Sequence, residues 1–191
     1  MNSIYVHIKV LEEDMENKLI HLAICAKKGD IEAFSTLITS LEQDLYRIAS
    51  IKLKLAEDID DAIGATIEQA LKNITKLRRP EYVKTWIIRI LINNCNAIYK
   101  KSKLRLEFYE NIYSCAKNVN DEIDSKLDFY ILIKDLNEKE QLTITLYYSE
   151  DLTAKEISRI LKEPESTVRN RLARAVEKLK KYLGGSNYEQ Q

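Results

Sequence analysis

The sequence predicts an all-α protein: two small helical domains joined by a flexible linker, the second a four-helix domain with a helix-turn-helix. Three observations carry that expectation. Apolar residues recur at helical spacing along most of the chain. Helix-breaking residues are scarce, with Gly 4 and Pro 2 in 191 residues. Two capping pairs, Asn137 with Glu140 and Thr153 with Glu156, mark helix starts near the C-terminus. Alternating runs of the β type are almost absent; only residues 4–10 look strand-like, and they are too short for a membrane span or a signal-peptide core. No export signal is visible, so the expected location is the cytoplasm.

In chain order, residues 1–14 form an N-terminal extension. Residues 15–102 form a first helical domain with a core of its own. Its stripes are Leu19, Leu22, Ala23 and Ala26, then Ala33, Phe34, Leu37, Ile38 and Leu41, then Leu45, Ile48 and Ala49. Gly29 separates the first two helices and Asp30 is placed to cap the second. After Asp58 a helix carries Ala62, Ile63, Ile67, Ala70, Leu71 and Ile74. A loop around Arg78, Arg79 and Pro80 follows, and then a helix through Trp86, Ile90, Leu91 and Ile98. From 103 to 125 the apolar period fades and Asn, Ser and Asp accumulate, which marks a linker. Residues 126–185 form the second domain, with helices over 127–136, from Asn137 to Tyr148, and then the helix-turn-helix pair; residues 186–191 are a tail.

The pair itself is the most specific local pattern. One helix begins near Thr153; a second begins near Pro164, which lacks an amide hydrogen but fits a first helical turn, and ends at Gly184 and Gly185. At 100° per residue Val168, Leu172, Ala175, Val176 and Leu179 share an inner stripe. Asn170, Ala173, Arg174, Glu177 and Lys181 lie opposite, with Arg169 and Arg171 on the flanks. Six cations against one anion over residues 166–185 give this helix a local charge of +5. Arg can fork onto guanine and Asn onto adenine, while flanking cations neutralise phosphates. The expectation is that Asn170 and Arg174 read bases, and that Arg169 and Arg171 mainly hold the backbone.

A formal net charge of +0 argues against a nucleic-acid partner until the distribution is considered. Residues 72–105 hold ten cations and one anion (+9), and residues 54–71 just before them hold five anions and one cation (−4). Such polarity suggests one surface for DNA and another for a different partner. Cys25, Cys95 and Cys115 are far apart, and His7 and His21 stand alone, so no disulfide frame and no metal site is expected. Without a phosphate-cradling glycine loop or a nucleophile elbow, the expectation is no enzyme, no catalytic residues, no cofactor and no small-molecule substrate.

Taken together these residues resemble the extracytoplasmic-function (ECF) sigma factors of bacterial RNA polymerase, over nearly all of residues 15–183. The carriers in the first half are the opening pair of helices around Lys27, Lys28, Gly29 and Asp30, the acidic run Asp58, Asp60 and Asp61, and the block Trp86-Ile87-Ile88-Arg89-Ile90 followed by Asn93. In the second half they are residues 146–157 and 166–175. The resemblance implies that residues 15–102 correspond to sigma region 2 and 126–185 to region 4, held apart on the enzyme by the linker. It implies that Asp58, Asp61, Ile67 and Glu68 bind core polymerase. Arg78, Arg79, Tyr82, Lys84, Trp86, Arg89 and Asn93 would recognise and melt the −10 element, and Arg169, Asn170, Arg171, Arg174 and Lys178 would read the −35 element. Further partners implied are promoter DNA of a stress or envelope-response gene set and an anti-sigma protein, in many such systems membrane-bound. Independently of the family, the loop from Arg78 to Tyr82 with Trp86 offers the cations and aromatic faces that an extruded base needs. Trp86 also fits a core position, and both roles stay open.

The chain departs from the family pattern where Gly64, Ala65 and Ile67 stand in place of Gln, Glu and Phe, and where Ala97 and Lys100 stand in place of Asp and Arg. The first fourteen residues have no family counterpart, which leaves Met15 a candidate start. The competing interpretation is a stand-alone helix-turn-helix regulator that binds operator DNA as a dimer; it does not account for a +9 stretch beside a −4 helix in a separate domain.

Overall fold

Helix α4 (Val83–Tyr109) organises the molecule, because neighbours from both ends of the chain pack on it. The computed structural model describes the backbone of residues 2–109 and 132–185 and the side chains of 14–102 and 132–181. The other helices are α1 (Asn2–Lys27), α2 (Ile31–Lys52), α3 (Ala56–Asn73), α5 (Glu138–Tyr148), α6 (Ala154–Leu161) and α7 (Glu165–Gly185). Two single 3-10 turns, Ile74–Lys76 and Pro80–Tyr82, join α3 to α4. Every regular element among the described residues is helical. None of these helices is long and apolar enough to cross a membrane.

The predicted caps are present. Asp30 accepts from the Ala33 amide at 2.9 Å. Asn137 and Glu140, and Thr153 and Glu156, form complete capping boxes that satisfy amides each helix start would otherwise leave open. Between α6 and α7 the chain turns at Lys162, whose φ of 56° is left-handed, and Pro164 directly precedes the first residue of α7.

Leu37, Leu41, Leu45 and Ile48 of α2 meet Ile87, Ile88, Leu91, Ile92 and Cys95 of α4, all buried, with Ile59, Ala62 and Ala70 of α3 and Leu19 and Ala23 of α1. Burying a Leu or Ile side chain stabilises by about 1.5–3 kcal/mol, so this seam dominates the fold. The same cluster continues into Leu142 and Leu146 of α5, Ile157 and Ile160 of α6, and Val168 of α7. A smaller cluster, Ile133, Leu136, Ile144 and Ala175, sits beneath α5 and α7. Polar side chains align α3 with α4: Asn94 donates to Thr66 Oγ1 at 3.0 Å, Gln69 donates to Asn94 at 3.2 Å, and Ser102 donates to Asp58 at 3.0 Å.

Two expectations are corrected. The strand-like residues 4–10 are helical, as part of α1; a lone strand with no partner leaves its amides and carbonyls unpaired, whereas a helix satisfies them internally. Residues 103–109, expected in the linker, are helical, because α4 continues to Tyr109. Residues 110–125 of the expected linker, half of the helix expected over 127–136, and the tail 186–191 lie outside the described residues; residues 134–136, expected at the end of that helix, form a turn.

Gly64 lies exposed in the middle of α3 with nothing within 4 Å of where a Cβ would stand. Gly64→Ala should therefore stabilise the protein by about 0.5–1 kcal/mol, seen as a raised denaturant midpoint at unchanged slope.

Candidate nucleic-acid interface

Two exposed basic surfaces and one acidic surface stand on three different helices. On α7, Arg169, Asn170, Ala173, Arg174, Glu177, Lys178 and Lys181 are exposed while Val168 and Ala175 are buried, which is the orientation that the apolar period demands. Arg169 pairs with Glu165 one turn back at 2.6 Å, and Arg174 Nε donates to the Asn170 carbonyl at 3.3 Å. Lys178 reaches Glu140 of α5 at 2.8 Å. Burial alone would raise the Glu140 carboxyl; the hydrogen bonds from Lys178 and from the Asn137 amide outweigh it and hold the group below its usual range.

Arg171 is the correction on this helix. Expected on the DNA backbone, it is only 7% exposed. Its guanidinium donates to Thr143 Oγ1 at 3.1 Å and pairs with Glu163 at 2.6 Å. It ties α7 to α5 and to the turn after α6, and so fixes the position of α7.

On α4 an exposed stripe carries Arg89, Asn93, Asn96 and Lys100 at helical spacing. Asn96 carries no charge, and no sequence signal marks it as a member of this stripe. Trp86 is half-buried against the core cluster at the border of this stripe, so the structure gives it packing contacts. Just before α4, Arg78 and Arg79 are exposed; Arg79 lies 5.0 Å from the ring centre of Tyr82, itself 40% exposed, and pairs with Glu81 at 3.0 Å. Lys27 of α1 donates to the Leu77 carbonyl and so fixes the start of this loop, a role no local sequence signal announces. Lys84 differs from its expectation: it is half-buried in an ion cluster with Asp44 at 3.5 Å and Glu150 at 3.0 Å.

On α3 the exposed arc holds Glu57, Asp61, Gly64, Glu68 and Leu71. Glu68 is paired with Lys72, which draws its carboxyl below the usual range. Ile67 is half-buried against the core, and Asp58 is committed to Ser102, so Asp61 and Glu68 are the predicted members that face outward. Beside Arg169 runs an open groove with Leu152, Leu172 and Val176 on its floor and the exposed Tyr147 and Tyr148 on its rim. Burial pushes the Cys95 thiol up to about 12, so this cysteine packs rather than reacts. Among the described residues no cluster of three or more His, Cys, Asp or Glu could hold a metal ion.

The protein-family profile "Sigma-70, region 4" matches residues 132–181. The RNA polymerase sigma factor SigV of Bacillus subtilis is 32% identical over 142 residues, covering 74% of this chain and 85% of that protein. The chain belongs to the ECF sigma factors. The ECF RNA polymerase sigma factor SigM of Mycobacterium tuberculosis is 24% identical over 160 residues, 83% of this chain and 81% of that one. Among solved structures, the sigma factor RpoE in complex with the anti-sigma factor NepR from Bartonella quintana superposes with a TM-score of 0.64 at 16% identity, covering 79% of this chain and 96% of RpoE. CnrH in complex with the cytosolic domain of CnrY gives 0.59 at 20% identity, over 88% and 98%. Both share the fold of this ECF sigma factor.

Arg171→Ala should cost about 3 kcal/mol, because it strands a half-buried Glu163 and a buried Thr143. Arg174→Ala, on the exposed face, should stay within about 0.5 kcal/mol. Urea denaturation of both variants checks the contrast, and equal losses would contradict it.

Proposed function

We propose that the charged faces of this ECF sigma factor divide its work between one protein partner and two DNA elements. The acidic arc of α3, chiefly Asp61 and Glu68, binds core RNA polymerase. The loop from Arg78 to Tyr82 and the α4 stripe of Arg89 and Asn93 take the −10 element, and Arg169, Asn170 and Arg174 of α7 enter the major groove at −35. The observation that carries this reading is the placement of opposite charges on neighbouring helices, each outside the same apolar core. Coulomb attraction then favours a cationic protein surface on one side and phosphates on the other. The protein serves as an initiation subunit in the cytoplasm, and the chemistry of RNA synthesis belongs to the polymerase.

An anti-sigma factor is part of the same reading. Its support is that both structural neighbours were solved with a partner, in one named as an anti-sigma factor, and that the groove beside Tyr147 and Tyr148 offers the apolar floor that a protein segment needs.

Run-off transcription with core polymerase and genomic fragments tests the proposal. The chain should redirect start sites to a defined promoter set. Asp61→Arg should weaken core binding at least about tenfold, equivalent to roughly 1.4 kcal/mol. Arg174→Ala should keep core binding and shift the −35 preference. Binding of a palindromic operator by a dimer, with no retention on core polymerase, would support a stand-alone regulator instead.

A further inference from the structure

The α5–α7 helices are fastened to α2 and α4 by ion pairs as well as by the shared apolar cluster. At the centre is Glu150, whose side chain is 0% exposed. Its Oε1 accepts from Arg47 Nη1 at 3.2 Å, and its Oε2 lies 3.0 Å from Lys84 Nζ. Asp44 contacts the same two cations, at 2.9 Å and 3.5 Å. A second tie, Lys52 to Glu138 at 2.9 Å, sits beside a crevice of about 150 Å³ that Asn96 of the basic stripe also lines. Lys84 thus stands at the start of the helix assigned to the −10 element while its ammonium is held by a carboxylate from the −35-reading half.

Length makes this arrangement consequential, if the two-element reading above is taken as the premise. Positions −35 and −10 are roughly 25 base pairs apart, about 85 Å at ~3.4 Å per step. A compact chain of this size has a radius of gyration of about 16 Å and is roughly 40 Å across. The packed form cannot hold both elements at once, whereas roughly 20 residues of connecting chain can extend ~70 Å. Buried ion pairs suit a contact that must also open, because desolvation offsets most of their attraction.

We propose that the Glu150 cluster is an intramolecular clasp: it keeps the free sigma factor closed, with Lys84 engaged internally, and it is released when the chain opens on core polymerase and promoter DNA.

Small-angle scattering of the full chain, together with zero-length carbodiimide coupling mapped by mass spectrometry, tests the clasp. The free wild-type protein should be compact and should yield a Lys52–Glu138 isopeptide bond, which disappears in the polymerase-bound complex. Glu150→Lys puts a third cation beside Arg47 and Lys84. It should raise the radius of gyration by at least about 5 Å at unchanged helical circular dichroism, and abolish the coupling. If that variant loses helix, Glu138→Lys should also lose the coupling, and adding Lys52→Glu should restore it with the roles exchanged. An expanded wild-type chain without coupling, a compact and coupled Glu150→Lys, or coupling that persists in the polymerase complex would each overturn the clasp. The free-chain readouts need neither polymerase nor promoter, so their failure leaves the proposed function standing, and failure of transcription leaves them intact.

Discussion

One buried seam, Ile87, Ile88, Leu91, Ile92 and Cys95 of α4, constrains everything else in this sigma factor. Five large side chains on adjoining helical positions are covered by α2 and α3 from one direction and by α6 from the other. Along the turns from Ile87 to Asn96, where the seam is covered, the face carrying Arg89, Asn93 and Asn96 is left to solvent, and Lys100 continues it. The basic stripe is thus fixed as the complement of the apolar seam. The acidic arc of α3 follows in the same way, since Ile59, Ala62, Thr66 and Ala70 must turn inward and Asp61 and Glu68 therefore outward.

Polar groups set the angles that apolar packing leaves free. Asn94 bridges Thr66 and Gln69 and so fixes the register of α3 on α4, while Arg171 anchors α7 to Thr143 and Glu163. Glu140 and Glu150 show how environment decides what a carboxylate does. Glu140 keeps its charge because Lys178 and a helix-start amide serve it. For Glu150, burial raises the carboxyl above its ordinary range, Asp44 adds to the rise, and Lys84 and Arg47 only partly oppose it. A group raised in this way contributes its full stabilisation below the ordinary carboxylate value of 4.5 and loses it as pH rises through the raised value.

What the sequence disclosed and what it withheld divide along physical lines. Local chemistry was legible: the boxes at Asn137 and Thr153, the cap at Asp30, the break at Pro164 and the inner stripe of α7 all depend on residues within one or two turns of each other. Nonlocal chemistry was not. Arg171 sits on the flank of its helical wheel, and only Thr143, 28 residues away, and the turn residue Glu163 draw it inside. Nothing near Glu150 announces Arg47, 103 residues earlier. Lys84 counted as one of ten cations in a basic stretch, and its commitment to Glu150 needed a fold to be visible. The alternation of Ile4, Val6, Ile8 and Val10 is strand-like, but no strand among the described residues is present to pair with it.

A single apolar core, centred on α4, joins the acidic helix α3 to the basic helices α4 and α7 of the free protein. Differential scanning calorimetry of the full chain tests it most directly. One transition with calorimetric and van't Hoff enthalpies in agreement is the expected result, since helices that share a core melt together. Two separate transitions, one of them matching an isolated segment of residues 132–185, would contradict it.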